Sequence, residues 1–355
     1  MSGEVQYSAS IPAQKAIAAL GRTEDVQFSP SNRRLAVAAF HANRIVVFEV
    51  AISRSADRPQ VALKGVVEIE AATLKGPHGL CFLDEETLAV ANREGSVELF
   101  PVPPAGAVTQ PRTTPKRTIL GAASGQIITP GSVAAARLDD GTVELLVCNN
   151  YVNRVTRHVL DPRSDWSVVS DETLLERDLD VPDGISFSPD GRWLAVSNHN
   201  THSVLLYDRS RHLEPDAAPD GVLRNVLCPH GVRFTHDQEF ILVADAAAPY
   251  VNVYKKDGAS WRGTRDPVRL FPAMPADVFA RGRLNPQEGG PKGIDISKDN
   301  RVLVSTCECQ SLTFFDVEAV VRIAEAPANR LKRYLRWRLT EAIFNRLGYI
   351  GRFPA

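Results

Sequence analysis

Apolar and polar residues alternate over short stretches of this chain, and turn residues interrupt the alternation at regular intervals. The clearest stretch is Pro182-Asp-Gly-Ile-Ser-Phe-Ser-Pro-Asp-Gly-Arg-Trp-Leu-Ala-Val-Ser-Asn198. Ile185 to Ser188 alternate, Ser188-Pro-Asp-Gly191 has the residue types of a tight turn, and Trp193 to Ser197 form a second, mostly apolar run. A third run, Ser203 to Tyr207, follows a polar loop. The period predicts three consecutive strands. Such a meander cannot bury both faces alone, so it must pack on copies of itself.

Copies are present. Units begin at Glu24, His78, Gly131, Asp183, His230 and Lys292, at intervals of 54, 53, 52, 47 and 62 residues. A period near fifty with three or four short strands per unit predicts an all-β, six-bladed β-propeller of four-stranded blades. Outer strands are expected at Val66–Ile69, Arg117–Leu120 and Val222–Leu227, and a polar loop at Ser53–Gln60. The last unit runs through Leu312–Asp316 without an outer strand of its own. Gln14–Leu20 or Val5–Ser8 is placed to supply it, joining the chain ends in one blade and removing an open edge.

The propeller is thus expected over residues 1–317, with a helical extension over 318–355. In that extension Leu331, Leu335, Leu339, Ile343 and Leu347 recur at intervals of four, opposite a face of arginines and lysines. This predicts an amphipathic C-terminal helix over 328–347, packed on the propeller, lying on a membrane surface or contacting a protein partner. The long interval from Lys256 to Gly290 is where a covering loop would sit.

The repeat Pro-x-Gly-Ile-x-Phe-Ser-Pro-Asp-Gly-x-x-Leu-x-Val-x-Asn resembles that of bacterial YVTN-type propellers, and the architecture resembles lactonase-like and gluconolactonase-like (SMP-30) propellers. The resemblance covers roughly residues 14–317 and specifies turns and packing more than chemistry. There is no Gly-His…Trp-Asp pattern, which argues against a WD40 protein.

Composition narrows the classes. A net charge of −1 gives no reason to expect nucleic acid as a partner. Five cysteines, an odd number, suit reduced thiols in the cytoplasm better than a disulfide framework. The first residues lack a basic region followed by an apolar core, and no run of about 18 apolar residues occurs. The expectation is a cytoplasmic protein, peripheral to the membrane if the helix binds there.

Sorting the repeat by propeller face separates bland from reactive residues. One face carries only turn residues. The other gathers the unit starts Glu24, His78, Gly131, Asp183, His230 and Lys292. It also gathers second-strand loop residues, among them Arg93, Asn149, Asn150, Asn198, His199, Asp245, Cys307, Glu308 and Cys309. Five of the eight histidines fall on it.

Glu24, His78, Asp183 and His230 are candidate ligands for a divalent metal at the mouth of the central channel. Imidazole mixed with carboxylate suits zinc, manganese or iron better than calcium alone. The resemblance to the gluconolactonase-like propellers implies a catalytic metal held by acids and asparagines from several blades; the histidines and lysine here depart from that pattern. His78, Asp183, His230 and Lys292 are the candidate catalytic groups. Asn149, Asn198, His199, Asp245 and Arg93 are the candidate contacts to a small-molecule substrate.

The expected activity is that of a lactonase-type hydrolase or a lyase. The competing readings are a metal-free polar pocket, a purely structural ring of hydrogen bonds, and a non-catalytic scaffold for protein or membrane-surface interaction.

Overall fold

The computed structural model describes residues 3–55, 58–104, 113–122, 125–284 and 287–322. Six separate sheets are arranged as blades. Their inner strands are Thr23–Phe28, Pro77–Phe82, Pro130–Arg137, Pro182–Phe187, Pro229–Phe234 and Pro291–Ile296. Each contacts the next, and the last contacts the first, closing the ring. Apolar side chains pack in clusters between neighbouring blades, such as Trp193, Leu206, Val232 and Tyr254 between the fourth and fifth.

The predicted strands form, and several elements the sequence did not announce appear beside them. Blade three has an outer strand, Ser167–Leu175, and blade five has one from the long interval, Arg269–Pro272. The fourth-blade outer strand is shorter than expected, Gly221–Leu223, and Gly263–Arg265 adds to it in parallel.

Two expectations are corrected. Ser53–Gln60 is not a loop: Arg44–Ser55 and Arg58–Glu70 pair as far as Ser55 and Arg58. The pairing rests on backbone hydrogen bonds, which polar side chains facing water do not prevent. Gln14–Leu20 is not a strand. It lies mostly in the helix Ile11–Ala18, started by Ser10, whose hydroxyl accepts from Ala13 N, and by Pro12 in the first turn. Glu4–Val5 instead pairs antiparallel with Thr313–Asp316 as the outer strand of blade six.

A short helix, Val317–Val321, follows blade six. The expected amphipathic stretch 328–347 lies outside the described residues. Among the described residues no helix is long and apolar enough to cross a membrane.

One irregularity repeats in all six blades and builds the site. Between the first and fourth residues of each inner strand the register slips, as where Pro182 pairs with Asn198 but Ile185 with Val196. The same slip occurs in the other five. A bulge of this kind takes one residue out of the ladder and re-aims its side chain. The glycine that follows lets neighbouring blades close up. A Cβ on Gly184 would fall 2.0 Å from the carbonyl oxygen of His230 in the next blade.

Candidate active site in the channel mouth

Five of the six bulges aim a side chain at one point. Glu24, His78, Asp183, His230 and Lys292 come from five different blades, and each is at most 6 % exposed. Glu24 Oε2 lies 3.5 Å from His78 Nε2 and 3.4 Å from His230 Nε2. His230 Nε2 is also 3.1 Å from Asp183 Oδ2, and Lys292 Nζ donates to Glu24 Oε1 at 3.2 Å. The two imidazoles stack with centroids 5.4 Å apart.

Blade three has a glycine at its ring position, and the gap is filled from elsewhere. Asn150, just after the second strand, packs on Gly131 and donates to Asp183 Oδ1 at 2.7 Å.

An outer tier surrounds this core. Arg22 pairs with Glu24 and lies 3.3 Å from Glu308. Arg93 donates to His78 Nε2 at 2.6 Å and stacks over Tyr151. Glu288 reaches Lys292 Nζ at 2.8 Å and His199 Nε2 at 3.4 Å. Beside the mouth, at the seam between blade six and the N-terminal segment, lies a cavity of about 580 Å³ lined in part by Arg22, Glu308, Gln310, Tyr7 and Phe314.

Burial and charge set the protonation states. Burial opposes ionisation of Glu24, but Lys292 and then His78, His230 and Arg22 outweigh it and hold the carboxyl well below its usual range. Asp183 is likewise held low against burial, by the imidazoles of His230 and His78 and by Arg93. Burial, and next the Arg93 charge, push His78 down to about 3. His78 is therefore neutral, and its Nδ1 donates to the Gly131 carbonyl at 2.7 Å, which leaves the Nε2 lone pair facing the mouth. Lys292 is raised despite burial, because Glu24 and Glu288 flank it.

The structure brings Glu24, His78, Asp183, His230 and Lys292 together, with Arg93 and His199 at the rim. It does not bring in Asn149, Asn198 or Asp245. Each turns a side-chain oxygen to the loop that leads into its own blade: Asn149 Oδ1 accepts from Ile128 N, Asn198 Oδ1 from Asp180 N, and Asp245 from Leu227 N and Cys228 N. Arg22, Asn150 and Glu288 join the site from outside the ring positions. The one sequence hint for Glu288 is an acid four residues before Lys292.

Deeper in the channel, Arg233 donates to Asp295 at 2.9 Å and lies 3.7 Å from Asp25, whose carboxylate accepts from Leu80 N and Val26 N. These contacts tie blades one, two, five and six together.

No protein-family model matches the chain, and no curated protein matches it. Solved structures do. A candidate 6-phosphogluconolactonase from Bacteroides fragilis is 12 % identical, with a TM-score of 0.51, covering 82 % of this chain and 79 % of its own. The WD40 repeats of RRP9 give the same identity and TM-score over 82 % and 78 %. A candidate 6-phosphogluconolactonase from Bacteroides uniformis is 14 % identical over 79 % and 77 %, with a TM-score of 0.48. The two likenesses with a TM-score of 0.51 support the β-propeller fold; function is argued from the site.

Proposed function

We propose that the channel mouth is the active site of a small-molecule hydrolase or lyase of lactonase type. The observation that carries this reading is the convergence of Glu24, His78, Asp183 and His230, from four blades, on one buried point. Structural stability alone gives no reason to bury two imidazoles between two carboxylates, since burying ionisable groups is costly.

The donor set also fits a divalent metal. Glu24, His78 and His230 place one ligand atom each within 4.8 Å of one another. The spacings of 3.4 and 3.5 Å match the edge of a tetrahedron with metal–ligand bonds of about 2.0–2.2 Å, which comes to about 3.4 Å. Glu24 Oε2 has no hydrogen-bond partner among the described residues. Glu24, His78 and His230 would hold the ion, with Asp183 beside them, and zinc, manganese or iron suits these donors. A bound metal would polarise a carbonyl or lower the pKa of water.

The chain's own groups supply the rest. With no ion bound, His230 Nε2, between Glu24 and Asp183, is placed to exchange a proton with either carboxylate; with that nitrogen on a metal, the proton-transfer role falls to Asp183 beside it. Lys292 and Arg93 are placed to stabilise negative charge developing on a carbonyl oxygen. The candidate 6-phosphogluconolactonases among the similar structures make lactones the first substrates to try, and the cavity beside the mouth has room for a small molecule.

The test is turnover of a panel of lactones and esters by the parent and by folded His230→Ala and Asp183→Asn variants. Hydrolysis by the parent, reduced about 10²–10⁴-fold in both variants, is expected. Equal rates in all three would overturn the assignment.

A further inference from the structure

Among the described residues, Glu288 is the one carboxylate of the mouth that the repeat does not supply. It comes from the long segment between blades five and six, and that segment is anchored: Gly289 N and Gly290 N both donate to Ala246 O at 2.8 Å. The side chain then reaches inward. Its Oε2 is 2.8 Å from Lys292 Nζ and its Oε1 3.4 Å from His199 Nε2.

Exposure grades across this contact. Glu24 and Lys292 side chains are 0 % and 1 % exposed, whereas those of Glu288 and His199 are 16 % and 14 %. Glu288 is therefore at the boundary between solvent and the reacting groups. A carboxylate that pairs with an ammonium through one oxygen and faces an imidazole 3.4 Å away through the other sits where both groups could receive a carboxylate ligand.

The geometry points to Glu288 as a built-in occupant of a carboxylate subsite. The mouth takes a substrate or product bearing a carboxylate, which displaces the Glu288 side chain from Lys292 and His199 and so opens the way to His78 and His230. The subsite rests on the reading of the mouth as a small-molecule site, but not on which reaction occurs there.

Lys292 serves both roles without moving. Its Nζ already bridges Glu24 and Glu288, so exchanging Glu288 for a ligand carboxylate conserves the local charge. A neutral ligand would leave Lys292 with one partner fewer and gains nothing from displacing Glu288. The subsite thus selects for anions by competition with the chain itself.

Equilibrium binding separates this inference from the catalytic reading, because no turnover is needed. Glycolate and its neutral methyl ester are titrated calorimetrically into the parent and into Glu288→Gln, His199→Gln and Lys292→Gln, with thermal unfolding as a check on the fold. Removing the competing charge is expected to tighten glycolate binding about tenfold in Glu288→Gln, the equivalent of losing one charge-assisted contact, and to leave the ester unchanged. His199→Gln and Lys292→Gln are expected to weaken glycolate.

Glycolate affinity that is unchanged or weaker in a folded Glu288→Gln overturns the inference and makes Glu288 a structural tie. Lactone hydrolysis that persists alongside that result leaves the active site standing. Tightened binding without any hydrolysis supports the subsite and counts against the reaction.

Discussion

Asn150 occupies the space that a side chain at Gly131 would need. A Cβ on Gly131 would fall 1.9 Å from Asn150 Oδ1, and the Asn150 amide donates to Asp183 at 2.7 Å. The blade that lacks a ring side chain thus borrows one from the loop after its second strand, and that loan fixes a carboxylate of the site.

Gly131→Ala is therefore expected to act through Asn150. The methyl group expels the amide and leaves Asp183 short of a donor, at a cost of about 1–3 kcal/mol for a buried unsatisfied group. Asn150→Ala is expected to cost a similar amount. The double variant, in which the new methyl fills the vacated space, should be clearly more stable than the sum of the singles. Strict additivity in urea unfolding would show that the two positions are not coupled.

Arg93 and the proposed metal would compete for one lone pair. Arg93 Nη2 donates to His78 Nε2 at 2.6 Å, so the ion binds only if this hydrogen bond is given up. Arg93→Met should tighten zinc binding about tenfold or more, since a charge-assisted hydrogen bond no longer has to break. Competition titration against a chromogenic chelator measures it. Unchanged or weaker binding in a folded Arg93→Met would place the metal elsewhere or nowhere.

Asp25, in the channel below the mouth, titrates unusually. Burial, only partly offset by Arg233 and by the Leu80 and Val26 amides, raises its carboxyl from 3.8 to about 6. A raised folded-state pKa contributes stability that is fully present below the unfolded value and is lost as pH rises through the folded one. The parent should therefore lose up to about 3 kcal/mol relative to Asp25→Asn between pH 4 and pH 7, at about 1.4 kcal/mol per pKa unit. Any hydrogen bond lost in the variant shifts the curve equally at all pH values. Urea unfolding across that range reads the slope, and a difference that stays flat would contradict the raised pKa.

The blade count and the ring were legible because both are written in the repeat. One position per unit carries Glu24, His78, Asp183, His230 and Lys292, and the bulge turns that position toward the channel in every blade. Asn150 was placed on the reactive face with the second-strand loops, but only its packing on Gly131 shows what it does; Arg22 and Glu288 were harder to see because they enter from segments the repeat does not describe.

Asn198 and Asn149 illustrate the opposite limit. Their residue type suits a ligand contact, but Asn198 donates to Asp178 O and accepts from Asp180 N. Whether an amide is spent on the backbone is decided by loop geometry, which composition does not encode. The hairpin extension through Ser53 and Gln60 was hidden because its tip is polar on the exposed side, while the face that Pro59, Val61 and Leu63 bury shows too few apolar residues near the turn to announce a strand.

The most direct test of the account is a double-mutant cycle in kcat/KM on His78→Ala and His230→Ala, using whichever lactone or ester the parent turns over. Two groups of one catalytic site fail together, so each single change should cost about 10²–10⁴-fold and the double change little more than the worse single. Losses that multiply independently, or a double variant that keeps the parent rate, would contradict the claim that the channel mouth is one active site.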